Sequence, residues 1–294
     1  MPLHRQTAKL PSVIMLCLFL LMLASNHVAT VTASDEEPTI EFETALENID
    51  EGLIKSHVQF FSEQGSRVTG YAGFFKSAQY IAEEFGKYGI QPLGADEEYF
   101  EFFNVTIPLD HGSYIVLPNG TEVPAYAVWP NYVNPSAYQS PPEGDPIVYV
   151  GDGSIDEYAG KNVTGRFVLM NFNSRWYFKI AASFEARGVI YILGDDSIRA
   201  DALQKVYNVP LRFPRLVVSR SVGDYLIHAL EKGENVNIWA SLNMSWVKLK
   251  VPNIIGFVEG SGPLKDEIIA ISAYYDSWSI VPGLSPGATD ALGI

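Results

Sequence analysis

Cysteine is almost missing from this chain. Cys17 is the only one, and it lies in an apolar run near the N-terminus, so the remainder can build neither an internal disulfide nor a cysteine-held metal site. Stability must come from a packed core. Basic residues are scarce too: 20 Lys and Arg stand against 34 Asp and Glu, for a net charge of -14. A nucleic-acid partner would meet a repulsive field with no basic stripe to offset it, so that class is excluded, and the acidity reads as solubility. Long apolar runs are absent after the first, the later ones being strand-length and bounded by charge, Gly or Pro. Three catalytic signatures are also absent: a Gly-x-Ser-x-Gly elbow, a His-Glu-x-x-His helix and a phosphate-cradling Gly-x-x-x-x-Gly-Lys loop.

What is present begins with an export signal. His4, Arg5 and Lys9 precede the apolar run Val13 to Ala24, and small residues including Ala29, Val31 and Ala33 follow. The run falls short of the roughly 18 to 20 residues that cross a bilayer comfortably, so residues 1–33 are expected to be a cleaved signal peptide. The protein is then expected outside the cell or on the outer face of its membrane, held by lipid only if the leader is retained. Sequons at Asn104, Asn119, Asn162 and Asn243 suit an exported glycoprotein.

Helical spacing recurs over Ile40 to Glu63, through Phe42, Leu46, Ile49, Leu53, Ile54 and Phe60, and again over Phe74 to Tyr88, with Phe75, Ala78, Ile81, Ala82 and Phe85 on one face. Gly89 is placed to end the second helix, and Glu98 to Ile107 reads as an aromatic strand. From Asp110 the texture changes to short β-prone runs separated by Pro, Gly and Asn. They are Tyr114 to Leu117, Ala125 to Trp129, Ile147 to Val150, Phe167 to Met170, Val189 to Leu193, Leu216 to Val218 and Val236 to Ala240. Helical patterns at Tyr177 to Arg187 and Ser221 to Lys232 interrupt them. Past Val251, Ile254 to Val258 and Ile268 to Ala273 are near-continuous apolar runs, the pattern of strands buried on both faces. Helices before the β-rich module and core strands after it predict an α/β fold with that module inserted.

The chemistry is expected where the last of these runs ends. Ile268 to Ala273 leads into Tyr274-Tyr275-Asp276-Ser277-Trp278, and a Gly/Pro-rich loop then delivers Pro286-Gly287-Ala288-Thr289-Asp290. Ligands bind at the carboxyl edge of such a sheet, and two carboxylates there would be offset by a cation. Spacing leaves a second account open, with Asp276 capping a turn and Asp290 capping the next helix.

These passages resemble the M28 metallopeptidases, in which an apolar strand ends in His-x-Asp-Ser and a loop ends in Pro-Gly-Ala-x-Asp. Asn253-Ile254-Ile255-Gly256 with Glu259-Gly260 is similar to the family's preceding strand. Ser66-Arg67-Val68-Thr69-Gly70, with the helix ending Ile81-Ala82-Glu83-Glu84-Phe85, resembles its opening segment. The resemblance implies that Asp290 bridges two zinc ions and that Asp276 orients the first histidine ligand. That histidine's place is taken here by Tyr274, whose phenol, with a free pKa near 10, would bind zinc only against protonation. The family's paired glutamates, further carboxylate and last histidine would follow Asp290, whereas the sequence stops at Ile294, so an incomplete catalytic domain is expected. None of His57, His111 and His228 lies in a motif resembling a ligand segment.

The middle of the chain resembles a protease-associated (PA) domain. Ile147-Val148-Tyr149-Val150-Gly151, Gly165-Arg166-Phe167-Val168-Leu169 and the helix through Ala186 to Gly188-Val189-Ile190 follow that domain's order. Arg175, Trp176 and Tyr177 are candidates for the wall of a cleft, or for a plain surface loop. The expected layout is a signal peptide at 1–33, the first part of the peptidase domain at 34–109, the PA module at 110–247 and the start of the catalytic domain at 248–294. The resemblance implies an exported zinc exopeptidase acting on peptides and inactive as this chain. Its competitor is a non-enzymatic binding relative with a lost metal site. A homodimer is left open.

Overall fold

The computed structural model describes residues 46, 49–94, 98–195, 197 and 199–287. The expected signal peptide and Asp290 lie outside them. The chain divides into two units, Met1–Glu51 and Gly52–Ile294, and the elements below belong to the second, apart from the first residue of α1.

The core is a mixed sheet whose centre is parallel. Strands β7 (Asp145–Tyr149), β8 (Phe167–Asn171), β9 (Gly188–Ile192) and β10 (Arg215–Val218) run side by side, with β5 (Tyr126–Ala127) antiparallel against β10. Strict alternation along these strands makes two cores. Phe167, Leu169, Ile190, Ile192, Leu216 and Val218 face one side; Val168, Met170, Val189, Tyr191 and Val217 face the other. Helix α5 (Arg220–Glu231) covers the first face with Leu226 and Ala229, and the short α3 (Phe178–Ser183) covers the second with Phe178 and Ala181. Each large apolar side chain so buried contributes about 1.5–3 kcal/mol. Gly223 brings α5 against the sheet, because a Cβ there would meet Ile192 Cγ2 at 2.5 Å.

On the other side of β7 lies β11 (Asn237–Ile254), which serves two structures. Its first half pairs with β7, with β3 (Tyr114–Val116) and with β6 (Ala137–Gln139), while β4 (Glu122–Pro124) extends the sheet beyond β3. Its second half leaves that sheet as a ribbon with β2 (Phe100–Asp110), in register from Met244 opposite Asp110 to Ile254 opposite Phe100. The strand is unbroken through 247, where a domain boundary is expected from the sequence.

Helices α1 (Glu51–Ser62) and α2 (Ala72–Lys87) precede the ribbon, and Phe60 stacks on Tyr80 between them, centroids 3.7 Å apart. On α2 the buried row is Phe74, Ala78 and Ala82, spaced by four and packed toward β11. Phe75, expected inside, is exposed because Phe74 takes the inward position and stacks on Tyr275. Gly89 ends the helix as expected, at φ +71° just past its C-cap, a conformation that costs glycine little. After β11, β12 (Gly256–Phe257) pairs with β1 (Gln91–Pro92).

Both runs expected to be strands buried on two faces fail here. Ile254 to Val258 gives only the end of β11 and the two-residue β12, with Phe257 39% and Val258 77% exposed. Ile268 to Ala273 is not a buried strand: no strand is assigned to it, and Ile268 and Ile269 are 93% and 90% exposed. An apolar run is buried on two faces only where neighbouring strands and covering helices supply those faces, and no described strand pairs with this one. The predicted helix Tyr177 to Arg187 is also shorter, since the backbone turns at Glu185, φ +58°.

Candidate functional site

The turn between α1 and α2 carries Ser66 to Gly70, and its centre is Arg67, 1% exposed. A guanidinium buried this deeply must have its donors taken by acceptors. Its Nη1 donates to the Tyr275 carbonyl at 2.5 Å, its Nε to that of Pro286 at 2.6 Å and its Nη2 to that of Gly287 at 2.6 Å. The backbone joins in, with Arg67 N donating to Ser285 O at 2.8 Å and Ser277 N donating to Arg67 O at 3.0 Å. One side chain therefore holds both ends of the loop from Tyr275 to Gly287. Phe61 lies 4.9 Å from the guanidinium carbon and closes its remaining face.

Neighbouring residues tighten the same loop. Ser66 Oγ donates to Pro282 O at 2.5 Å, Ser277 Oγ donates to Ser285 O at 2.6 Å, and Ser285 Oγ donates back to Ser277 Oγ at 2.9 Å. Gly287 adopts φ +57° with its backbone against the Ser277 Cβ, a place that a side chain would fill. The middle of the loop is buried in the β-rich module: Ile280 and Val281 join the core of Val168, Met170 and Val217, and Trp129 N donates to Ile280 O at 2.7 Å.

Asp276 is half-buried and accepts a hydrogen bond from Thr69 Oγ1 at 2.6 Å. A hydroxyl donating to a carboxylate at this distance is a charge-assisted bond. Tyr275 turns inward, its hydroxyl donating to Pro252 O at 2.7 Å, and burial, with Asp276 beside it, pushes its phenol well above the ordinary range. Tyr274 turns the other way and is 62% exposed. It borders a cavity of about 570 Å³ that α1, α2 and the end of β11 also line. On the far wall His57 Nδ1 and Tyr80 Oη are 2.6 Å apart.

Zinc is the metal implied by the resemblance, and the described residues do not fit a two-ion centre. Among them no group of three His, Cys, Asp or Glu side chains comes together. Tyr274 stands exposed at the histidine position, and Asp276 is engaged by Thr69. Two ions need several anionic or imidazole donors at about 2.0–2.2 Å, and a phenol with a carboxylate two residues on is too small a set. Asp290 lies outside the described residues.

The sequons are placed more simply. Asn104, Asn119, Asn162 and Asn243 are all exposed, and the Asn119 and Asn162 side chains each accept a bond from the backbone N–H two residues on. Of the residues proposed for a cleft wall, Trp176 is exposed and Arg175 takes φ +48°. Arg67 itself was not legible as a clamp. Its available sign was an arginine among small residues between two amphipathic helices, a position that buries its charge once the helices pack.

No family model and no curated protein matches this sequence. Solved structures do resemble it. An aminopeptidase from Aneurinibacillus sp. strain AM-1 is 18% identical over 71% of this chain and 48% of its own, with a TM-score of 0.38. A Peptidase M28 precursor from Shewanella amazonensis SB2B is 17% identical over 77% of this chain and 55% of its own, with a TM-score of 0.47. The chain thus spans about half the length of these two structures, both of them peptidases by name.

Proposed function

We propose that the protein is an exported, M28-like exopeptidase scaffold whose substrates are peptides, and that this chain does not itself hydrolyse them. One observation carries the reading. Ser66 to Gly70 and Tyr275 to Gly287, two passages that resemble the family's opening segment and site rim, are tied together through Arg67. A bond network that fixes a loop at both ends is what a site needs if its carboxylates are to meet a ligand in one geometry. Asp276, held by Thr69, is the described carboxylate on that rim. Residues 110–247 are read as a PA module, with carbohydrate on the four sequons and a signal peptide removed from the N-terminus.

Tyr274 favours a second reading. Its exposed phenol in the histidine position fits a relative that binds peptides or a partner without cutting them.

Two measurements test these readings, the first the inactivity that both share and the second the metal site that divides them. With zinc added, aminoacyl and peptidyl reporters should not be turned over by this chain; robust turnover overturns the claim of inactivity. Zinc titrations by calorimetry should show weaker binding for Asp290→Ala than for the wild type. Equal affinity removes Asp290 from any metal site and leaves the binding reading.

A further inference from the structure

The β-rich module spends its most deeply buried ammonium internally. Lys205, just after α4 (Arg199–Leu203), is 0% exposed; its Nζ donates to Asp201 O at 3.2 Å and to Arg175 O at 3.5 Å and lies over the Phe172 and Tyr191 rings. At the sequon Asn162-Val163-Thr164 the groups are left open instead. A cleft of about 490 Å³ lies between the helical turn Ile155–Tyr158 and the end of α3, and Asn162 is on its lip. Its apolar lining includes Ile155, 57% exposed, and Phe184, 40% exposed, whose ring packs inward on that of Tyr158 with centroids 5.2 Å apart. Apolar side chains gathered in a concavity, rather than scattered singly, mark a place where a ligand rests. Ser183, Thr164 and the exposed Glu185 give the same cleft a polar edge.

The sequon is mounted firmly against this cleft. Val163 is buried in the core beneath, and Arg166 N donates to Val163 O at 3.0 Å. Thr164 Oγ1 donates to Phe184 O at 3.3 Å and Gly165 N to Glu185 O at 2.9 Å, so the sequon is tied to the turn that presents the Phe184 ring. Asn162 Oδ1 accepts from Thr164 N at 3.2 Å, which leaves Nδ2 with no partner among the described residues. The other three sequons sit differently. Asn119 stands on the turn between β3 and β4, Asn104 lies in β2 opposite Lys250, and Asn243 lies in β11 opposite Ala137.

We propose that Asn162 carries an N-linked glycan whose first pyranose is seated in this cleft. The proposal rests on the carbohydrate assigned to the sequons above and adds that one of the four glycans is a structural part of the module. The linkage forms when Nδ2 attacks the anomeric carbon of a lipid-phosphate-linked oligosaccharide. The N–C bond forms, the C–O bond to phosphate breaks with its electron pair leaving on the phosphate, and the amide nitrogen gives up one proton. A pyranose has a face of C–H groups and an edge of hydroxyls. The C–H face suits the electron-rich face of Phe184 and the Ile155 side chain, and the hydroxyls suit the Glu185 carboxylate and Ser183. Because the sugar is already tethered at the lip, seating it costs little further translational freedom, and weak contacts are enough.

The chain secreted from a host that N-glycosylates tests the proposal. Peptide mass mapping should find Asn162 occupied. Carbohydrate on none of the sequons overturns the glycoprotein reading and this proposal with it; carbohydrate on others but not on Asn162 overturns this proposal alone. Under native conditions a peptide N-glycosidase should release the Asn162 glycan about tenfold more slowly than those on the other occupied sequons, a protection that depends on local opening and should vanish after denaturation. Phe184→Ser should remove the native protection, and Ile155→Ser should weaken it even if the first variant does not fold. Asn162→Gln should lower the Tm of the glycosylated protein and leave that of protein from a non-glycosylating host unchanged. Equal native release at all occupied sites, or a Tm indifferent to the Asn162 glycan, would leave the glycoprotein reading standing and overturn the seat.

Discussion

The Arg67 guanidinium donates to the carbonyl of Tyr275, a residue 208 positions further along the chain, and through the same planar group to Pro286 and Gly287. A lysine could reach one of these carbonyls but not all of them, since its donors radiate from a single nitrogen. Arg67→Lys should therefore leave buried carbonyls unpaired and lower stability by about 3 kcal/mol, read from urea unfolding. Amide exchange at Ser277 should quicken with it, because that N–H is bonded to the Arg67 carbonyl. A variant as stable as the wild type would mean that the loop is held by the serines and the module alone.

Thr69 tests the same rim with a smaller change. Thr69→Val preserves shape and deletes the hydroxyl that donates to Asp276. Loss of one charge-assisted bond at a half-buried carboxylate should cost about 1.5 kcal/mol in denaturant unfolding, while Thr69→Ser should recover most of it. If valine and serine behave alike, the hydroxyl does not restrain Asp276.

The parallel strands were legible from the sequence because they obey one local rule. Phe167 to Met170 and Val189 to Leu193 are apolar at every position, which is what a parallel strand between two covered faces requires, and both are strands. The same rule misleads at Ile268 to Ala273, where the run is apolar except for Ser272 but has no described strand beside it. Periodicity reports what a segment could bury; partners decide whether it does. The short β4 and β6, rich in Pro, Glu and Gln, carry no such pattern and exist because β3 and β11 offer edges to pair with. At the site, Asp276 could be picked out by type and place. Arg67 and Lys205 could not, since their roles depend on carbonyls and rings brought from distant parts of the chain.

Lys205 makes stability depend on alkaline pH. Its folded value of about 8 lies below the roughly 10.4 of an unfolded lysine, so between these values the unfolded chain binds the extra proton. The penalty for burying its charge is thus fully present below pH 8 and relieved as pH rises. Tyr71 and Tyr191, both raised to about 12 by burial, reverse the trend above pH 10, where the unfolded phenols ionise first. Unfolding free energy should rise from pH 8 to pH 10 and then fall, and Lys205→Met should remove the rise.

Tyr274 gives the sharpest test of the metal reading. It stands two positions before Asp276 and exposes its phenol to solvent, so a substitution there disturbs no core contact. Imidazole is largely neutral and ready to ligate at pH 7, whereas a phenol must first lose a proton with a pKa near 10. Tyr274→His should bind zinc at least tenfold more tightly than the wild type at pH 7 by calorimetry, and adding Asp290→Ala should cancel most of that gain. A histidine that brings no zinc, or brings it equally well without Asp290, would mean that the loop after Tyr275 does not deliver its carboxylate to the side chain at position 274.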